Sequence, residues 1–331
     1  MIDIFRDIFA MLDFLIVVLH GSYATSVAAT LDILHAAARL AVLNGLPAPR
    51  WRVVSPDAGL IDLGQGLTIQ AEPWPDSGQW PEAVWVLPGL GIAQSELLKA
   101  RLTQPDAVRV AQTLHAHVAQ GGHVAASCSG VFLLQKVGVL SAKRVTTSWW
   151  LASELAALDA SCQVDADQMV CMDGGVHTAG AAFAQSDLML HLLKIRWGPQ
   201  LPGWVSRVLL LDRRQAQAPF IVPTWVVSGD ALIARLQTLI ESSLPQVPTV
   251  DDLAGAVAMS SRTLARRVKA ATGKTPLALV QSIRLYRARS LLEGSRQSIE
   301  SIAEQVGYSD ATALRRLIRK STGVRPSQLR R

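Results

Sequence analysis

The sequence predicts an open, doubly wound α/β domain followed by a separate all-α domain that contains two helix-turn-helix units. Three observations lead there. Between residues 14 and 127 short, continuous apolar runs alternate with helical patterns, as buried parallel strands and their crossover helices do. From about residue 250 nearly the same unit occurs twice, 49 to 50 residues apart. Positive charge is confined to that tail: residues 245–331 hold 16 Lys+Arg against 6 Asp+Glu, net +10, while the remainder is net −4 in a chain of +6. Half of the 331 residues are apolar and all nine tryptophans lie at or before Trp225, so there is material for two cores of different composition. The expected division is an α/β domain over residues 11–215, a linker over 216–249 and the all-α domain over 250–331.

Taken in order, Ile2 to Leu19 is the one stretch with the look of a membrane segment. Asp3, Arg6, Asp7 and Asp13 interrupt it, which makes spanning too costly and spoils a secretory signal. Residues 1–10 read as an amphipathic extension, or Met11 as the natural start. Phe14-Leu-Ile-Val-Val-Leu19 has the composition of a strand buried on both faces. A helix carrying Leu31, Ile33, Leu34, Ala37 and Leu40 follows, then Trp51-Arg-Val-Val54 as a second strand. Gly64 to Trp80, rich in Gly and Pro, is expected to be loop or irregular edge structure. Ala83 to Leu87 is a third strand, ending in Pro88-Gly-Leu-Gly91. After a helix through Val108 to Gln120, Gly122 to Ser127 is a fourth.

Ser127-Cys128-Ser129-Gly130 stands where that fourth strand turns directly into a helix, Val131 to Lys136. Small residues permit a sharp turn that exposes one side chain at the sheet's carboxyl edge beside backbone amides. A helix N-terminus there is expected to favour the thiolate, and Pro88 to Gly91 to supply further amides. Cys128 is therefore expected as pocket floor or nucleophile; the plain alternative is a small buried core residue. With Cys162 and Cys171 it makes an odd set without metal-ligand spacing, which suits a reduced, cytoplasmic protein. A Cys162–Cys171 disulfide is compatible with the sequence and required by nothing in it.

Gln217 to Thr249, with Pro219, Pro223, Pro245 and Pro248, is expected to carry the connection between domains. In the first repeat Val250, Leu253, Ala254 and Val257 form one helical stripe. Ser260 is placed to cap the next helix, in which Leu264 and Val268 face inward. The second repeat presents Ile302, Ala303 and Val306, then Ser309 as cap, then Leu314 and Ile318, and is one residue longer at its turn. Arg262, Arg266, Arg267, Thr312, Arg315, Arg316 and Arg319 are left on the outer faces. A helix-turn-helix with a basic outer face points to a polyanion, and the bland reading is a solvated surface.

These spaced residues, with Gly273-Lys-Thr-Pro276 and the closing Gly323-x-x-Pro-x-x-Leu-Arg330, resemble the DNA-binding domain of AraC-family regulators. The resemblance implies a long helix over Leu277 to Glu293 that joins the two units. It also implies that Arg262, Arg266, Thr312, Arg315 and Arg316 face base edges of double-stranded DNA. Val268 and the pair Leu314 and Ile318 stand where the family has aromatics; all remain apolar.

The first domain resembles the DJ-1/PfpI, glutamine-amidotransferase-type domain, which implies a flavodoxin-like fold. Cys128 falls on that family's elbow cysteine and Pro88 to Gly91 on its oxyanion-side loop. The acid falls at Ser26 and the histidine at Ser148, in Thr146-Thr-Ser-Trp-Trp150, so the expected acid–base partners are missing. His123 and His177 are candidate substitutes, although each sits in a strand pattern that more often holds a satisfied core or edge histidine. Val176 to Asp187 and Leu211 to Phe220 also fit, and the combination is similar to the regulators called GlxA-like. It implies a homodimer that senses a small-molecule effector, without cofactor or metal and without a membrane. The implied pocket comprises Cys128, Ser129, Gly89, Gly91, Ser26, Ser148 and Trp149, with Trp149 and Trp150 as an aromatic wall or as core. A cysteine-dependent hydrolase or lyase with a DNA-binding tail is the alternative.

Overall fold

The computed structural model describes residues 12–75, 80–92, 94–211, 217, 230–272, 274–322 and 325–329. Residues 1–10 and Met11, Gly273, Gly323, Arg330 and most of the Leu211 to Phe220 stretch lie outside these. The chain divides into two compact units, Met1–Gln217 and Ala218–Arg331.

The first unit begins with β1 (Phe14–Val17), α1 (Ala24–Leu43), β2 (Trp51–Ser55), β3 (Gly59–Gly64), β4 (Leu67–Pro73) and β5 (Val84–Leu87). It continues with α2 (Ser95–Leu102), α3 (Pro105–Ala119), β6 (Val124–Ser127), α4 (Val131–Lys136), β7 (Arg144–Val145), α5 (Ala152–Leu158) and β8 (Gln163–Val164). β9 (Val170–Asp173), β10 (Val176–Ala179), α6 (Ala184–Trp197) and α7 (Gln200–Val208) complete it. The main sheet runs β3-β4-β2-β1-β5-β6-β10-β9. Its centre, β2-β1-β5-β6-β10, is parallel in the flavodoxin-like order, with the topological switch between β1 and β5.

Continuous apolar strands are needed because both faces are covered. Phe14, Ile16 and Val18 join Ile33, Leu34, Leu188 and Leu192 on one side, while Leu15, Val17 and Leu19 join Trp85, Leu114 and Phe132 on the other. The 64–80 stretch differs from expectation. β4 pairs antiparallel with β3 across a two-residue turn in which Gln65 (φ 55°) and Gly66 (φ 77°) are both left-handed, so its glycine marks a hairpin and not irregular structure.

The second unit comprises α8 (Ala231–Ser243), α9 (Val250–Ala256), α10 (Ser261–Thr272), α11 (Pro276–Gly294), α12 (Ile299–Gln305), α13 (Ala311–Thr322) and α14 (Pro326–Leu329). α8 lies inside the expected 216–249 linker. Ile233, Leu236 and Ile240 are buried in the first helix-turn-helix core with Leu253, Leu264 and Val268, so the prolines at 245 and 248 end a helix and do not mark a free tether. Pro223 and Pro219 lie outside the described residues. α11 is the beam between the two repeats. Its Leu279, Val280 and Ile283 complete the first core, and its Ala288 and Leu292 complete the second with Ile302, Leu314 and Ile318.

Candidate functional site

Cys128 sits directly after β6, at φ 53°, a left-handed backbone that a non-glycine residue adopts only when its surroundings hold it there. The turn is as close as its small residues suggest. A Cβ on Gly130 would lie 2.8 Å from the Pro88 carbonyl oxygen, and one on Gly89 would lie 2.8 Å from Cys128 Cβ. Two backbone ties fix it: Cys128 N–H donates to Gly180 O at 2.7 Å and Thr147 Oγ1 donates to Cys128 O at 2.7 Å.

The sulfur is surrounded by neutral donors. Ser148 Oγ donates to Sγ at 2.8 Å, and the amides of Ser129 and Ala182 also point toward it. Burial nevertheless pushes the thiol up, and these bonds only partly oppose it. The expected thiolate at a helix terminus is therefore corrected to a neutral thiol. Cys128 to Gly130 form a single 3₁₀ turn and α4 is only six residues long, so the end of a helix is weak here while the side chain is buried.

The seven expected pocket residues divide by exposure. Cys128, Ser129, Ser26, Ser148 and Gly89 are buried, Trp149 is half-buried and Gly91 is exposed. Ser26 Oγ donates to Ala182 O at 3.0 Å, so it reaches the sulfur's surroundings through the residue whose amide faces the thiol. Ser129 Oγ donates to Leu90 O and locks the loop after β5. Gly91 N–H is committed to Gly21 O at 2.7 Å, so it is not an available oxyanion donor. Trp150 packs on the core and meets Trp149 edge-on at 5.2 Å, and both rings are half-buried. Two aromatics that sequence reasoning missed flank this cluster. Tyr23, 40% exposed, touches the loop of Gly89 and Gly91, and Phe183, 60% exposed, follows Ala182.

Neither substitute histidine serves the thiol. His177 lies opposite Ala125 on β10, three residues before the cysteine on β6, and packs between His123 and His191 at ring separations of 5.9 and 5.7 Å. Burial brings it down to about 4, the other two histidines adding to the effect. Cys162 and Cys171 are free thiols, so the optional disulfide is absent.

In the second unit the five expected base-facing residues are all exposed. Arg262 and Arg266 lie one turn apart on α10, opposite buried Leu264 and Val268. Thr312, Arg315 and Arg316 lie on α13, where with Arg319, Arg325 and Ile299 they line an open hollow of about 950 Å³. Arg315 is ion-paired to Glu300 in the preceding helix. Ser260 Oγ accepts from Thr263 N–H at 3.2 Å, as expected of a cap. Its counterpart is not Ser309: Asp310 Oδ1 accepts from Thr312 N–H at 2.8 Å. The longer turn of the second repeat shifts the cap by one residue, and Gly307 (φ 77°) takes the bend. Arg284 of α11 donates from Nε to Val306 O at 2.8 Å, bonds Gly307 O and lies 3.9 Å over the Tyr308 ring.

Comparison with known proteins places both units. A model of the DJ-1/PfpI family matches residues 23–195, and a model described as a helix-turn-helix domain matches residues 253–331. The HTH-type transcriptional regulator GbdR of Pseudomonas aeruginosa is 26% identical over 289 residues, covering 86% of this chain and 75% of the relative. The regulator CdhR of the same organism is 25% identical over 283 residues, covering 84% and 81%. Among solved structures, an AraC family transcriptional regulator from Pseudomonas putida superposes with a TM-score of 0.51 at 17% identity, over 60% of this chain and 100% of that one. That last similarity is one of fold.

Proposed function

Because the chain belongs to the DJ-1/PfpI family through its α/β unit and ends in an AraC-type helix-turn-helix domain, we propose that it couples recognition of a small molecule to control of transcription. It is a sequence-specific DNA-binding transcription regulator with a ligand-sensing domain. The observation that carries this is the repeated helix-turn-helix, whose second helices bury one stripe and present arginines on the other. Arg262, Arg266, Thr312, Arg315 and Arg316 are the base-facing side chains, since an arginine can grip guanine with two parallel bonds. Two recognition helices joined through the shared α11 suit successive major grooves, about 34 Å apart on one face of the duplex.

The α/β unit acts as sensor without turnover. Its thiol is neutral and contacted by a hydroxyl and amides, whereas acyl transfer needs a base to take the proton and later to release product. The effector is taken into the cleft of Cys128, Ser148, Ser26 and Ser129, past Gly91 and Trp149. The functional form is a homodimer through the α/β unit in the cytoplasm, which suits paired DNA sites and free thiols.

Sequencing the DNA fragments the protein retains tests this reading. On such a fragment Arg266→Ala is expected to cost roughly 1–3 kcal/mol and to relax preference at one position. Uniform weakening over all sequences would reassign Arg266 to phosphate; retention of no fragment would sink the reading.

A further inference from the structure

Gln217 is the last residue of the first compact unit, and its side chain is buried at 2% exposure. The carboxamide is held from every side. Its Nε2 faces Thr147 O and Gln168 O at 3.0 Å, Thr146 Oγ1 at 3.2 Å and Ala166 O at 3.3 Å. Its Oε1 accepts from Ala181 N–H at 3.0 Å, and its own N–H donates to Asp167 O at 2.7 Å. Room is made for it: a Cβ on Gly180 would fall 2.0 Å from Gln217 Cδ. The loop after β7, the loop between β8 and β9 and the turn after β10 thus form a cage complementary to a primary amide.

Two of these segments, the loop after β7 and the turn after β10, also hold Cys128. Thr147 holds Cys128 O through Oγ1, and its neighbour Ser148 bonds the sulfur. Gly180 O receives Cys128 N–H, and Ala182, beside Ala181, receives Ser26 Oγ. A ligand that shifts Ser148, Ser26 or Cys128 therefore shifts the walls of the cage, and hydrogen bonds already at 3.0–3.3 Å weaken steeply with further stretch. We propose that the cage is a carboxamide-binding site whose ligand is the chain's own Gln217, and that seating or unseating it reports occupancy of the cleft to the DNA-binding unit. This rests on the regulator reading above and names its coupling point.

The test uses the full chain with Gln217→Ala, which opens the cage, and Gln217→Met, which keeps the bulk and removes the polar atoms. The probe is acetamide, with acetate as control. Loss of the bonds is expected to speed amide hydrogen exchange in residues 146–148 and 180–182 roughly five- to tenfold in both variants, as removal of about one net hydrogen bond would. Acetamide restores protection in Gln217→Ala and not in Gln217→Met; acetate restores neither. Transcription from a promoter the wild type occupies changes in both variants, while affinity for the isolated DNA fragment stays within about twofold, the discrimination expected of a coupling residue. Unaltered exchange, rescue by acetate as by acetamide, or wild-type promoter output would each overturn the proposal. A wild type that occupies no promoter would refute the regulator reading instead, since the exchange and rescue measurements involve no DNA.

Discussion

Arg284→Ala is expected to melt the second helix-turn-helix selectively. The guanidinium joins α11 to the carbonyls of Val306 and Gly307, just after α12, and covers the Tyr308 ring. Bonds from a charged donor contribute about 1.5–3 kcal/mol each, and a partly buried cation–π contact about 1. Because the site is only partly buried, water recovers some of this after truncation, so the net loss should be about 2–4 kcal/mol. The second core rests on few side chains, Ala288, Leu292, Ile302, Val306, Leu314 and Ile318 among them, and a loss of that size is a large part of what it can supply. Arg284→Lys keeps the charge without the planar fork and should recover about half. Hydrogen exchange resolved by segment is the assay, with binding to a retained DNA fragment as companion. In the alanine variant, α12 and α13 should lose protection while α9 and α10 keep theirs, and sequence preference should fade only in the half-site read by α13. Equal loss in both repeats, or none, would refute the clasp.

His177 is held neutral by burial, with a folded value of about 4 against 6.5 for the free side chain. The unfolded chain takes up the proton first as pH falls, so stability drops between about 6.5 and 4, by up to about 3 kcal/mol for this group. His177→Gln should flatten the fall of the urea midpoint over that window, leaving the smaller slope due to His117 and His191, which shift the same way; an unchanged slope contradicts it. Cys128→Ala should leave effector-free operator binding intact and alter the response to effector. Esterase, amidase and glyoxalase assays should show no rate for either protein, and turnover that depends on Cys128 would end the sensor-only reading. The Tyr308 hydroxyl is buried without a partner among the described residues, so Tyr308→Phe should be neutral or stabilising by up to about 1 kcal/mol in thermal unfolding; a clear loss would reveal a bond to water.

The parts of the fold written in local pattern were legible. Both-faced apolar runs gave β1, β5 and β6, and the repeat spacing gave α9, α10, α12 and α13, because burial leaves its period in the sequence, while α11 came from the family resemblance. β4 was hidden by its turn glycines. α8 was hidden by flanking prolines, although Ile233, Leu236 and Ile240 recur at helical spacing. The cap at Asp310 followed from the extra turn residue but was assigned to Ser309 by simple offset. At the Cys128 site the strained elbow and close glycines were legible, whereas the ionisation of the thiol depends on burial by distant segments. Gln217 was illegible for the same reason, its partners standing 36 to 71 residues away in the chain.

The two repeats are not equivalent supports for reading DNA. The first is completed from outside itself, by α8, and its capping box at Thr249 and Asp252 fixes the start of α9. The second is completed by α11 and by Leu329 of the four-residue α14, with Arg284 as the polar tie. The chain that leaves the carboxamide cage at Gln217 reaches the Asp230 cap of α8 thirteen residues later. In the coupling proposed above, the first described element after Gln217 is therefore a helix of the first repeat's core, buried there through Ile233, Leu236 and Ile240.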